Sequence, residues 1–283
     1  MNAPARHWPE YLMESAGLGA FMGSAAAMTV ILEHPSSPVR ALIADPMLRR
    51  VLMGAAMGLT AAALVYSPWG RRSGAHLNPA VTLTFFRLGK IARRDAWCYA
   101  CAQFVGGALG IAAAAMLLRP WISDPAVNYV ATLPGASGSA VAFTGEAAIS
   151  FLLMTIVLAT SNHAPLARFT GVIVACLVAA FITFEAPLSG MSMNPARTFG
   201  PDLVGSMWRG VWIYFVAPPL GMLAAAELYV RVRGHQAIRC AKLHHDDGPC
   251  IFRCTPRQTT HRGTEAQRKN EHQTSVPQCL GVS

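Results

Sequence analysis

Six apolar stretches, each about as long as a bilayer is thick, decide what this chain can become. They run over residues 11–32, 51–67, 96–118, 141–160, 169–187 and 211–230. A helix needs roughly 20 mostly apolar residues to cross the hydrocarbon core. The second stretch is short, and the fifth is interrupted near Pro187. A bilayer tolerates only structures that satisfy their own backbone N–H and C=O groups, which leaves helices and closed barrels. The stretches are rich in Ala, Leu and Gly and lack the alternation of barrel strands. Six transmembrane helices are therefore expected, in an all-α membrane protein. Composition agrees, because 13% of the residues are charged against about 25% in a soluble domain. The net charge of +9 does not argue for nucleic acid, since the Arg and Lys residues lie between apolar stretches and in the C-terminal segment.

That placement also orients the chain. Arg71, Arg72, Arg87, Lys90, Arg93, Arg94 and Arg168 follow spans two and four, and Arg231, Arg233, Arg239 and Lys242 follow span six. Cationic loops favour the cytoplasm. Six spans then put both termini on the cytoplasmic side of the cell membrane, with Arg49 and Arg50 as a mild exception. Gly54 and Gly58, and Gly106 and Gly110, stand four apart, a spacing that lets helices pack closely.

Two further apolar runs are too short to span, from Asn78 to about Leu88 and from Asn194 to about Leu203. Each begins with Asn-Pro-Ala: Asn78, Pro79, Ala80 and Asn194, Pro195, Ala196. Asn caps a helix start by accepting from free backbone N–H groups. Pro sits without penalty in the first turn. Each tripeptide therefore reads as the start of a half-helix. The two occur after spans two and five, so the chain reads as a duplication of three spans plus one half-helix. An odd number of spans gives the halves opposite orientation, an inverted repeat whose half-helices can meet near the midplane. Glu14 and Glu146 are single acids in the first span of each half. An acid inside a membrane needs partners. It is expected to brace the loop feeding its half-helix; the alternative is a proton or ion site.

"SGAHLNPAVTL" and "SGMSMNPARTFGPDL", with six spans and a Glu in spans one and four, resemble the aquaporin (major intrinsic protein) family over about residues 10–233. The resemblance implies six helices and two half-helices around one pore per subunit, assembled as a homotetramer. It also implies passage of water and small neutral solutes, and no enzymatic activity. In such a pore the two half-helix N-termini would carry partial positive charge and exclude cations and protons. Asn78 and Asn194 would donate to a passing oxygen, and carbonyls around residues 74–76 and 190–192 would complete a polar track. His76 would line the cytoplasmic vestibule, with a pH-gating role as the alternative. Arg197 follows only the second motif, and would form an outer constriction with Met57, Ile182 and Met191, Gly58 being the count-based alternative to Met57. The family's water channels carry a Phe in span two and a His in span five. Met57 and Ile182 make this constriction more apolar, and "PLSGMSMNPART" is similar to nodulin-like members that also pass glycerol and metalloid hydroxides. An ion-coupled secondary transporter is the reading from another class, since it too uses inverted repeats and broken helices.

The expected domains are a cytoplasmic N-terminus (1–9), the channel (10–233, repeats at about 10–118 and 140–233) and a polar, basic tail (234–283). The tail's composition predicts disorder, with its cations drawn to anionic lipid. Yet Cys240, His244, Cys250 and Cys254 supply donors for a tetrahedral zinc site; otherwise no cofactor is expected. Cys98 and Cys101 form a CxxC inside span three, with no neighbouring charge to stabilise a thiolate.

Overall fold

The computed structural model describes residues 7–244 and 250–255. Residues 1–6, 245–249 and 256–283 lie outside, and with them His245 and most of the basic tail.

The first half comprises α1 (Trp8–Glu33), a short α2 (Pro38–Leu42), α3 (Pro46–Tyr66), a short α4 (Pro68–Ser73), α5 (Pro79–Arg87) and α6 (Arg93–Leu117). The second comprises α7 (Ser139–Ser161), α8 (Thr170–Phe184), a single turn α9 (Ala186–Ser189), α10 (Pro195–Gly205) and α11 (Val211–Arg233). Six of these are long and apolar enough to cross a membrane: α1, α3, α6, α7, α11 and α8 with the turn before it. α5 and α10 are the two half-helices. Many large apolar side chains on the long helices face outward, among them Leu59, Trp97, Leu109 and Phe184, as lipid contact requires.

Span ends move by up to five residues from the sequence reading, and two of these shifts have a local cause. The second span begins at Pro46, not residue 51, because Asp45 caps it through Met47 N–H at 2.9 Å. Arg49 within it reaches Glu33 at 3.1 Å and the carbonyls of Ile43 and Ala44 at 2.9 Å. The fifth span stops at Phe184, and Pro187 lies in the turn α9.

α1 packs on α6, α3 on α8 and α7 on α11. Small residues set these distances. A Cβ on Gly58 would stand 2.5 Å from the Ala175 carbonyl, one on Gly106 2.1 Å from that of Ser15, and one on Gly221 2.3 Å from that of Ala147. The α3–α8 contact joins the two halves, so the duplication closes on itself.

Candidate functional site: a polar track between two half-helices

Asn78 starts α5 with extended backbone, and its Oδ1 accepts from Ala80 N–H at 2.8 Å. Asn194 does the same for α10, accepting from Ala196 and Arg197 N–H at 3.0 and 3.2 Å. The side-chain nitrogens cross over. Asn78 Nδ2 donates to Met193 O at 2.8 Å, and Asn194 Nδ2 donates to Leu77 O at 2.7 Å. The two helix starts therefore face one another. An amide NH2 has two hydrogens, so each Asn keeps a second donor while one holds the opposite loop. Both residues line a cavity of about 370 Å³.

The loops feeding the half-helices are built alike. Gly74, Ala75 and Leu77 have positive φ, and so do Gly190, Met191 and Met193. The left-handed region is costly for side-chain-bearing residues and persists only where surroundings enforce it. Those surroundings are the two buried acids. Glu14 Oε1 accepts from Ser73 Oγ (2.7 Å) and His76 N–H (3.1 Å), and Oε2 accepts from Leu77 N–H (2.6 Å) and Gln103 Nε2 (2.8 Å). Glu146 Oε1 accepts from Ser189 Oγ (2.9 Å) and Ser192 N–H (2.6 Å), and Oε2 from Met193 N–H (2.7 Å). Both carboxylates accept from two backbone N–H groups and the Ser hydroxyl of their loops, and neither borders the cavity.

Sequence reasoning missed the supports of this arrangement. Ser73 and Ser189 stand equally far before their Asn residues. Tyr99 in α6 donates to Ser73 O at 2.7 Å, and Tyr214 in α11 donates to Ser189 O at 2.6 Å. Aligning the halves on the Asn residues pairs Ser73 with Ser189, whereas the tyrosines fall one position out of step, because Tyr99 is opposite Phe215 in such an alignment. Gln103, fully buried, joins Glu14 to Thr82.

Met57, Ile182, Met191 and Arg197 all line the cavity. Gly58 does not, because it is pressed against Ala175 on α8. Arg197 Nη1 donates to Val130 O at 3.3 Å. Arg50 and Glu33 border the cavity at the same end, and Leu243 borders it at the other.

Leu243 belongs to the C-terminal segment, where the expectation of disorder fails for residues 235–244 and 250–255. Ile238, Ala241, Leu243 and Phe252 are buried. His76 Nε2 donates to Ala241 O at 2.9 Å while Nδ1 accepts from Thr82 Oγ1 at 3.0 Å. The Phe252 ring stacks on one side of the imidazole at 5.3 Å and Phe85 stacks on it at 5.2 Å. His76 thus faces the tail instead of an open vestibule. Cys240, Cys250 and Cys254 gather with all three sulfurs within 4.8 Å of one another. His244 is not in that group; its ring meets Tyr66 edge-on at 5.1 Å, which corrects the four-residue set expected from sequence. Cys98 and Cys101 are free thiols in α6.

A family model described as "Major intrinsic protein" matches residues 10–229. "Aquaporin NIP1-3" of Oryza sativa subsp. japonica is 38% identical over 178 residues, 62% of this chain and 60% of the relative. "Probable aquaporin AqpM" of Archaeoglobus fulgidus is 38% identical over 189 residues, 62% of this chain and 74% of the relative. The chain thus spans about 60% of the length of several curated relatives it matches. Among solved structures, the aquaglyceroporin from Plasmodium falciparum superposes with a TM-score of 0.65 at 19% identity, over 82% of this chain and 99% of that one.

Proposed function

The chain belongs to the major intrinsic protein family, and from that premise we propose that it is a passive transmembrane channel for water and small uncharged solutes. The observation that carries this is the crossed pair of Asn amides, Asn78 to Met193 and Asn194 to Leu77. It holds two helix N-termini together beside a cavity lined by backbone carbonyl loops and Arg197. Positive helix ends and a fixed guanidinium repel cations and hydronium. An oxygen accepting from the free Asn hydrogens turns its own hydrogens away, which breaks a proton wire.

Burial of Glu14 and Glu146 away from the cavity, with their oxygens committed to the loops, supports a channel over an ion-coupled transporter. The apolar side chains of Met57, Ile182 and Met191 at the Arg197 end favour solutes that carry carbon as well as hydroxyl groups. Glycerol and metalloid hydroxides therefore accompany water as candidate solutes. Both termini in the cytoplasm of the cell membrane follows from the cationic loops, and a homotetramer from the family resemblance. No catalytic role is proposed.

The test is stopped-flow light scattering on proteoliposomes after an osmotic step, with an impermeant solute and then with glycerol. Fast shrinkage of low activation energy is expected, followed in glycerol by re-swelling. Shrinkage without re-swelling would restrict the channel to water. Flux that saturates and follows a proton or ion gradient would reject the channel.

A further inference from the structure

The C-terminal segment lies across the end of the cavity that faces the chain's termini. Its backbone is fastened to three interhelical loops. Leu243 N–H donates to Gly74 O at 3.1 Å, Arg253 N–H to Lys90 O at 2.9 Å, and Arg239 N–H to Asn162 Oδ1 at 2.7 Å. Lys90 Nζ donates to Thr255 Oγ1 at 2.9 Å. Leu243 reaches the cavity, and Phe252 covers His76. Residues 240–244 and 250–254 thus lie together at this end of the cavity, and three thiols stand where they meet. Cys250 Sγ lies 3.6 Å from Cys240 Sγ and 3.2 Å from Cys254 Sγ.

We infer that Cys240, Cys250 and Cys254 form a thiolate site for a thiophilic d10 metal ion, of which zinc is the type, and that the bound ion fastens residues 240–244 and 250–254 as a cap on the pore mouth. An ion holding thiolates at about 2.3 Å sets tetrahedral sulfurs about 3.8 Å apart. The Cys240–Cys250 and Cys250–Cys254 separations fall about 0.2 and 0.6 Å short of that spacing. Thiols are soft donors, which select zinc-like and softer ions over calcium or magnesium. Binding exchanges three S–H protons for one divalent ion, with no change of oxidation state, and leaves a complex of net charge −1. Lys90 acts electrostatically on Cys240 and Cys254, and Lys242 on Cys250 and Cys254, so the complex has cations to balance it. A cytoplasmic position keeps thiols reduced and disfavours a disulfide. Linking Cys240 to Cys250 and Cys254 through one metal ion cuts the conformational entropy that the released chain would regain, which a plug resting on few apolar side chains needs.

The capping half of this inference rests on the channel reading, and the binding half does not. Binding is tested first, on purified full-length protein titrated with Co(II) and Cd(II). Thiolate-to-metal charge-transfer absorption saturating at one equivalent is expected. It should vanish in the Cys240→Ser/Cys250→Ser/Cys254→Ser protein and persist in His244→Ala. Zinc should also shield Cys240, Cys250 and Cys254 of the wild type from alkylation, read by peptide mapping, while Cys98, Cys101 and Cys176 serve as internal controls. No absorption, absorption that survives the triple substitution, or a Cys250–Cys254 disulfide under cytosolic redox conditions would overturn the site. Permeability is then read on proteoliposomes with zinc and after chelation. Zinc-loaded wild type should be several-fold slower than chelated wild type, and the triple-Ser protein fast under both conditions. Equal rates in loaded and stripped wild type, beside a conducting triple-Ser protein, would overturn the cap. A protein that never conducts in any form would reject the channel reading instead, with the metal titration still deciding the site.

Discussion

Asn78 donates its side-chain amide to the carbonyl of Met193 at 2.8 Å, across the centre of the molecule and into the opposite half of the duplication. Asn194 returns the bond to Leu77 at 2.7 Å. Each residue thus caps its own half-helix and holds the loop that positions the other.

Substitutions at these two positions should be coupled. Asn78→Ala or Asn194→Ala removes a cap worth about 1 kcal/mol and also frees the opposite loop. The double variant should cost less than the sum of the singles, with a coupling of about 0.5–3 kcal/mol. Thermal unfolding in detergent measures the cycle. Strict additivity would mean that the cross-bonds hold nothing in place.

Glu146→Gln is expected to injure the fold and leave energetics of transport untouched. Three donors converge on this carboxylate: Ser189 Oγ, Ser192 N–H and Met193 N–H. A Gln amide turns its NH2 toward at least one of them, and each buried unsatisfied group costs about 1–3 kcal/mol. Lower yield and earlier unfolding should appear, with whatever water flux remains independent of a proton gradient. A well-folded variant that had lost gradient-driven uptake would revive the coupled-transporter reading.

The long helices and the two half-helices were legible because bilayer thickness fixes span length and because Asn-Pro is a strong helix-start signal. The loop geometry was not. Positive φ at Ala75, Leu77, Met191 and Met193 follows from Glu14 and Glu146, which lie far away in sequence. The ordered tail was illegible for another reason. Its packing depends on isolated apolar residues, Ile238, Leu243 and Phe252, set among charges, so composition averaged them away. Their partners, His76, Gly74 and Lys90, come from loops that only the folded bundle brings together.

Arg197→Ala should loosen ion exclusion without abolishing water flux. The guanidinium borders the cavity and is tied to Val130 O at 3.3 Å. Removing it widens the passage beside Met57 and Ile182 and deletes a fixed positive charge, which lowers the barrier to cations. A pH-sensitive dye inside proteoliposomes should report a higher proton leak, alongside equal or faster osmotic shrinkage. An unchanged leak would assign exclusion to the half-helix ends alone.

Acid on the tail side should open the mouth through His76. This residue lies in the loop between α4 and α5, outside the six spanning helices. Phe85 and Phe252 stack on its faces and Tyr99 meets it edge-on. Thr82 and Ala241 occupy its nitrogens, and Glu14 accepts from its backbone N–H. Burial pushes its pKa down from 6.5 to about 4. Above pH 6.5 the imidazole is neutral whether the tail covers it or not, so closure is at full strength. As pH falls between 6.5 and 4, a released tail lets His76 take a proton that the covered form refuses. Closure therefore weakens with acid. Stopped-flow water flux with the tail side at pH 7.5 and then 5.5 should rise. His76→Phe keeps the stack but cannot titrate, and should give one rate at both values. A wild type equally slow at both would show that releasing His76 does not open the mouth.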